Sequence, residues 1–479
     1  MIFFNHFLKT HILVELSFHR IKLTQWELVE WIEHIVPKLM QEGKMPGLSI
    51  AVVQKGETVY TQGFGSRDRE RNLPATPDTL YGIGSITKSF VAIAILQMME
   101  QGKLSLNDPV SMHVPFKIGL KDKPITIHNL MTHSLGVPSL ATSSVAFYKS
   151  VGFDTGIPFG SPEDFYRLIN GAQDQIVAEP GERFFYHNAA WRILGHIVQE
   201  KSGKPFHRYI KENVMNPLGM KRSTMNTAVF NNDPDRITPY WKKPDGTIEP
   251  TKFPYPNPED NLPFSFIAAA GGITSSANEM AHYMNALIAK DSGLITSESF
   301  ELMQTLHIER DPGYYGETGY GYGLSIVPDF HGRKLVAHGG SILVSTALMS
   351  TVPEEEIGVM VMGNSAKLPY EAINESILAL LMGLDPEKST PWLYVKKRLM
   401  DLTGHYETYM GIESVDVKYK AGMLYLESVT PFAKTSTPII PVDTRIEKTE
   451  FYSLADGVKA PVIFEDDKLF IERYVYRKV

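Results

Sequence analysis

The sequence predicts an α+β protein in two parts: an antiparallel sheet flanked by helices and joined to an all-helical lobe, followed by a small all-β, barrel-like domain. Three observations predict it. Apolar, β-branched runs occur near the start of the chain and return after residue 320, with a mostly helical stretch between them. Beyond residue 385 short strand-like runs alternate with turns. Finally, 479 residues with 43% apolar and 11% aromatic side chains suffice for a large core and more than one domain.

In the opening MIFFNHFLKTHILVELSFHR, Lys9, His11 and Glu15 interrupt every apolar run and no small-residue cleavage site follows. Residues 1–23 are therefore read as an extension: a docking arm, or an upstream segment outside the mature fold. A helix is expected from Thr24 to Glu42, with Thr24 and Glu27 as a capping box and Leu28, Trp31, Ile32, Ile35 and Leu39 as one apolar stripe. Pro37 is expected to kink it and Gly43 to stop it. The runs Gly47 to Gln54 and Thr58 to Phe64 read as a hairpin about Lys55-Gly56-Glu57. Ser85 to Gln101 is apolar nearly all round, the pattern of a buried central helix ending at Gly102.

From Leu104 to about Asn261 helices and Pro/Gly-rich loops make a helical lobe, including a helix from Ala189 to Ser202. Strands return at Tyr322 to Val327, Leu335 to His338, Leu343 to Thr351 and Ile357 to Met362, and pairing them with the N-terminal hairpin gives one sheet from distant parts of the chain. After a helix from Ala372 to Met382, Asp385-Pro386-Glu387-Lys388-Ser389-Thr390-Pro391 reads as a linker. The resulting division is a catalytic domain over 24–384, a linker over 385–392 and a small β domain over 393–479.

A net charge of -7, from 47 basic and 54 acidic residues, leaves no cationic excess to neutralise nucleic-acid phosphates or anionic lipid. With no cysteine, disulfides, thiolate metal sites and cysteine nucleophiles are excluded. The longest uncharged apolar run, Ser89 to Met99, is too short to cross a bilayer. The expectation is a cytoplasmic protein with no membrane partner. The histidines are scattered without His-Glu-x-x-His or similar spacing, so no metal and no cofactor is expected.

The chemistry-bearing residues begin with Ser85-Ile86-Thr87-Lys88, in which one helical turn puts hydroxyl and amine on the same face. A serine hydroxyl needs a base to become a nucleophile, and a desolvated lysine supplies one. Alone, the pattern is equally that of a capping serine and a surface lysine. Tyr186-His187-Asn188 adds a phenol for proton transfer and an amide to hold Lys88 and a substrate carbonyl; alone, these read as a packed aromatic and a helix cap. His338-Gly339-Gly340-Ser341, on a strand, offers an edge without bulky side chains against which an extended substrate can pair, with the Ser341 amide turned toward an oxyanion. A bulge or turn is the alternative reading of that stretch.

In order, Ser-x-x-Lys, Tyr-x-Asn and His-x-Gly resemble the serine β-lactamase and penicillin-binding-protein superfamily, nearest its class C β-lactamases, D-aminopeptidases, alkaline D-peptidases and esterases. Flanking stretches such as TLYGIGSITKSF, LMTHSLGVPSL, EPGERFFYHN, AAGGITSSANEM and GYGLSIV extend the resemblance over roughly residues 24–384. It implies Ser85 as nucleophile, Lys88 and Tyr186 as the proton-transfer pair, Asn188 as an amide clamp, and the Ser85 and Ser341 amides as an oxyanion hole. His133 matches a recurrent position and is assigned to structure. His338 replaces the lysine of Lys-Thr-Gly, and an imidazole near its ordinary pKa of 6.5 is often neutral; this disfavours efficient β-lactam hydrolysis and predicts activity rising toward alkaline pH as His338 loses its proton. Where the family often has a glycine, this chain has Ile342-Leu343-Val344, a bulkier wall. Gly404-His405-Tyr406 and the Ala421 to Leu426 stretch resemble a lipocalin-like barrel domain appended to some members. The implied function is a serine hydrolase acting through an acyl-enzyme on small peptides or amides, with a D-residue preference, or on esters, as a homo-oligomer. The alternatives are a carboxylesterase or weak β-lactamase of the same fold, and a non-catalytic penicillin-binding-like scaffold.

Overall fold

Nine strands build the sheet of the first part: β1 (Gly47–Gln54), β2 (Glu57–Asp68), β3 (Leu73–Pro74), β4 (Ile308–Gly313), β5 (Gly316–Tyr320), β6 (Ser325–Phe330), β7 (Arg333–Ser341), β8 (Thr346–Val352) and β9 (Ile357–Gly363). Their order is β3-β2-β1-β9-β8-β7-β6-β5-β4, antiparallel throughout, and Ile50 of β1 faces Val361 of β9. The N-terminal hairpin thus sits beside the late strands, as the sequence suggests. The computed structural model describes residues 25–150, 152–243, 245–254, 258–366 and 368–479. The 1–23 extension and the capping Thr24 lie outside the described residues.

Both faces of the sheet are covered, which is why its central strands are apolar at nearly every position. Period-two alternation sends Ile50, Val52, Val359 and Val361 to one core and Ala51, Val53, Met360 and Met362 to the other. The first core is closed by α1 (Gln25–Gly43), whose Leu28, Ile32, Val36 and Leu39 are buried; the second packs on α2 (Thr87–Glu100) and the helical lobe. That lobe includes α3 (Thr142–Ser150) and α4 (Asn188–Ser202). Then α5 (Ala277–Ala289) packs on the second core, and α6 (Tyr370–Leu381) completes the first.

Four local readings differ from the structure, the first being the strand expected from Tyr322, which begins at Ser325. The β4–β5 hairpin escapes the sequence reading because IERDPGYYGETGY is polar and lacks alternation. The strand expected from Leu343 begins only at Thr346, because residues 342–345 form a turn closed by the Ile342 amide donating to the Ser345 carbonyl (3.0 Å). The stretch read as a linker is helical: α7 (Pro386–Ser389), capped by Asp385, and α8 (Pro391–Asp401) each begin with proline, which suits a first helical turn whose amide has no partner. Trp392 and Leu393 of α8 pack on the core that α1 closes, while its Val395 and Leu399 pack in the core of the next domain. One helix thereby clamps the two parts together.

Beyond α8, strands β10 (Gly404–Glu407), β11 (Ser414–Lys420), β12 (Met423–Val429), β13 (Lys434–Pro441), β14 (Glu450–Ala455), β15 (Val458–Glu465), β16 (Lys468–Ile471) and β17 (Tyr474–Lys478) form a closed eight-stranded barrel in sequential order. Closure removes the edge strands that would otherwise expose unpaired backbone. Among the described residues no helix is long and apolar enough to cross a membrane.

Candidate active site

Ser85 lies in a single 3-10 turn, Gly84–Ile86, that leads into α2, so the helix starts two residues later than its apolar pattern suggests. The turn is held by backbone packing against β7. Gly84 adopts φ +51°, and a Cβ there would meet the Ser341 amide nitrogen at 2.6 Å; a Cβ on Gly340 would lie 1.9 Å from the Ile83 carbonyl oxygen and 3.0 Å from the Ser85 amide nitrogen. Gly84 of the turn and Gly340 of β7 thus let that strand close on the turn bearing Ser85, and bring the Ser85 and Ser341 amides to one locality, whereas a Cβ on Gly339 would meet only Leu348 Cδ1 at 3.9 Å.

Lys88, one turn along α2, is wholly buried. Its Nζ lies 2.9 Å from Ser85 Oγ, 2.9 Å from Asn188 Oδ1 and 2.7 Å from the Ala270 carbonyl oxygen. Burial, and then the positive charge of Arg192, hold its pKa well below the usual lysine range. Two of these partners are carbonyl oxygens that can only accept, so the third position on Nζ faces the serine hydroxyl; an amine that has shed its proton would turn its lone pair there.

The Tyr186 ring stands beside the amine, with Lys88 Nζ 4.9 Å from its centroid, and is tilted against His133 at 4.3 Å between ring centres. His133 is buried, with φ +59°; the His187 amide donates to its Nδ1 (2.8 Å), fixing the backbone between Tyr186 and Asn188. Asn188 opens α4, where the preceding His187 accepts the Ala190 amide as helix cap.

His338 is buried with both ring nitrogens engaged. Its Nδ1 lies 2.6 Å from the Gly339 carbonyl oxygen, so that nitrogen carries the proton, and Nε2 accepts from the Tyr320 hydroxyl at 2.8 Å. Burial pushes its pKa down to about 3. The neutral form expected from the sequence is the form this site holds. The expected titration of His338 in mildly acidic solution is corrected, because desolvation removes it from that range.

Ser85, Asn188 and Ser341 line a cleft of about 770 Å³ whose wall is largely apolar, with Phe147, Trp241, Phe264 and Ile267 among its residues. Lys88, Tyr186, His338, Gly339 and Gly340 are not on that wall; His338 bonds Tyr320, whose ring lies 4.9 Å from that of His133. Three contributors escaped sequence reasoning. The Ala270 carbonyl carries no side-chain signal, although the AAGG stretch drew attention to its neighbourhood. Arg192, whose Nε donates to the Ile267 carbonyl at 3.3 Å and whose guanidinium stands 5.3 Å over Phe159, lies four residues after Asn188, a spacing that could have found it. Tyr320 left no signal, since its strand was not recognised. Among the described residues no group of three or more His, Asp or Glu side chains is arranged to hold a metal ion.

Comparison with known proteins adds a family model described as Beta-lactamase, which matches residues 32–381. The chain belongs to the beta-lactamase family. A second model, the Pab87 octamerisation domain, matches residues 386–477, the α7–α8 pair and most of the barrel. Curated beta-lactamase-family relatives include protein flp of Staphylococcus aureus strain MW2, 28% identical over 346 residues, covering 70% of this chain and 62% of that protein. The putative penicillin-binding protein PbpX of Bacillus subtilis strain 168 is 30% identical over 296 residues, 61% of this chain and 66% of its own length. The match spans less than two thirds of either relative. Among solved beta-lactamase-family structures, the octameric penicillin-binding protein homologue from Pyrococcus abyssi superposes with a TM-score of 0.86 at 37% identity, covering 94% of this chain and all of that one. EstCE1, a hydrolase with promiscuous acyltransferase activity, shares the fold at a TM-score of 0.61 and 22% identity, over 75% of this chain and 98% of its own.

Proposed function

We propose that the protein is a serine hydrolase that forms an acyl-enzyme on Ser85. The observation that carries this reading is the set of three bonds at Lys88 Nζ, two to proton-free carbonyl oxygens and one to Ser85 Oγ. A scaffold without turnover has no use for a desolvated amine aimed at a hydroxyl, since burying it costs stability. In the proposed reaction, Ser85 Oγ attacks a substrate carbonyl and its proton passes to Lys88. The new ammonium keeps Asn188 and Ala270 as acceptors and turns its third N–H to the alkoxide side. Charge growing on the carbonyl oxygen falls beside the Ser85 and Ser341 amides. Tyr186, against the amine, relays a proton to the leaving group, which departs as an amine or alcohol. Water then attacks the ester on Ser85, the pair Lys88 and Tyr186 takes its proton, and the acid leaves with Ser85 restored.

The substrates proposed are small peptides or amides, including D-configured ones, and esters of comparable size. The neutral His338 offers no fixed cation for a β-lactam carboxylate, which favours peptidase and esterase chemistry over β-lactamase activity. The test is labelling by a fluorophosphonate probe followed by mass analysis. One adduct on Ser85, absent from Ser85→Ala, is expected; labelling that persists in the variant would remove Ser85 from the nucleophile role.

A homo-oligomer is proposed as well. In an antiparallel meander the turns after β10, β12, β14 and β16 fall at one end of the barrel. That end carries exposed Tyr409, Met410, Ile412, Val429, Phe432 and Val458, Phe432 being 96% exposed. The opposite end faces the first domain, where Arg445 donates to the Tyr314 carbonyl (3.3 Å). An apolar rim of this kind is the mark of an association surface, and the octameric relative makes other copies of the chain its natural occupants.

A further inference from the structure

The turn after β7 holds one residue that folding does not account for. Ile342 and Val344 are buried, but Leu343 between them is 45% exposed and adopts φ +70°. The turn is already secured without the leucine side chain, by the Leu343 amide donating to Ser341 Oγ (3.1 Å) and the Ile342 amide donating to the Ser345 carbonyl. A left-handed backbone disfavours any side chain and suits glycine. Strained residues of this kind collect where a site uses them.

Leu343 lines the cleft that has Ser85 at its floor. At the same mouth stand Tyr148 and Trp241, 48% and 38% exposed, and the Trp241 ring is stacked with Phe147 at 6.1 Å and 19°. Large apolar side chains left in water around one cleft are favourable only if something apolar covers them during function. We propose that Leu343, Tyr148 and Trp241 form an apolar lip that grips a bulky aliphatic or aromatic group on the substrate, next to the scissile carbonyl. The substrate class is then a hydrophobic acyl ester or a peptide with a large apolar residue at the cleaved bond. This rests on Ser85 as nucleophile, because the lip matters only in relation to the acyl group that Ser85 receives.

The experiment compares p-nitrophenyl octanoate with p-nitrophenyl acetate on the full-length protein and on Leu343→Gly. Each ester transfers its acyl group to Ser85 and releases p-nitrophenolate, and water then frees the carboxylic acid. The wild type is expected to favour octanoate in kcat/KM. Leu343→Gly is expected to lower the octanoate-to-acetate ratio about tenfold, chiefly through KM, with a Tm equal to or above the wild type because glycine relieves the left-handed backbone. A ratio unchanged by the substitution, an equal loss on both esters, a wild-type preference for acetate, or a sharp fall in Tm would each overturn the proposal. Fluorophosphonate labelling of Ser85 in both proteins keeps the two readings apart: if Ser85 labels while the ratio stays fixed, the lip fails and the nucleophile stands.

Discussion

Lys88, buried behind Ser85, and Phe432 at the rim of the barrel break the rule that charges face water and apolar groups face inward, in opposite directions. The lysine sits with no exposure and three polar partners; the phenylalanine sits in a β-turn with almost none of its surface covered. In the catalytic domain the exception is a polar group withdrawn from water, where a lowered proton affinity serves chemistry. In the barrel the exception is an apolar group left out, where a second surface can cover it. The cost of each points to what the region is for: one is built around a reaction, the other around a neighbour.

Removing the buried amine should break the first half of that contrast most severely. Lys88→Met is expected to lower kcat/KM on a preferred ester by at least about a thousandfold, because the hydroxyl loses its base, while far-UV circular dichroism shows the fold retained. A variant retaining a tenth of the activity would detach Lys88 from proton transfer.

A buried carboxyl outside the cleft sharpens the contrast, since it breaks the same rule with no reaction to serve. Glu375 of α6 accepts the Tyr315 hydroxyl at 2.9 Å, and burial lifts its pKa from 4.5 to about 7. A raised pKa favours the protonated folded form. Its contribution is fully present below about pH 4.5 and is lost as pH rises through about 7. Glu375→Gln should therefore stabilise the protein at pH 8 by up to roughly 3 kcal/mol and flatten the pH dependence between those values. Denaturant melts across that range measure it, and identical slopes in both proteins would refute the assignment.

At the rim, Phe432→Glu should shift the assembly toward smaller species by about tenfold or more in dissociation constant, as seen by light scattering, while Ser85 labelling per subunit persists. An unchanged mass would move the association surface elsewhere. The smallest effect is expected at His338. Activity should fall in acid as Lys88 gains a proton and loses the lone pair facing Ser85, so the acid limb should stay in place in His338→Asn; a limb that moves by a full pH unit would return the titration to the imidazole.

Much of the site was legible because its residues are local pairs. Ser85 and Lys88 are one turn apart, and Tyr186 and Asn188 flank a helix start, so spacing pairs each couple while the family resemblance joins the two couples. Tyr320 and the Ala270 carbonyl were not legible. One lies on a polar hairpin without alternation, and the other contributes a backbone atom that any residue could offer. The 385–392 stretch misled in the other direction, since proline and charge read as a loop although Asp385 and Pro386 equally make a helix start.

By itself, the order of residues determined the α+β architecture and the sheet drawn from both ends of the first domain, because hydrophobic period is a property of the chain, while the resemblance carried by its motifs named Ser85, Lys88, Tyr186 and Asn188 together. The lowered proton affinity of Lys88, the silencing of His338 and the exposure of Leu343 and Phe432 were decided only in three dimensions. Proton affinity and exposure depend on what surrounds a group from every side, and most of those neighbours are supplied by remote segments.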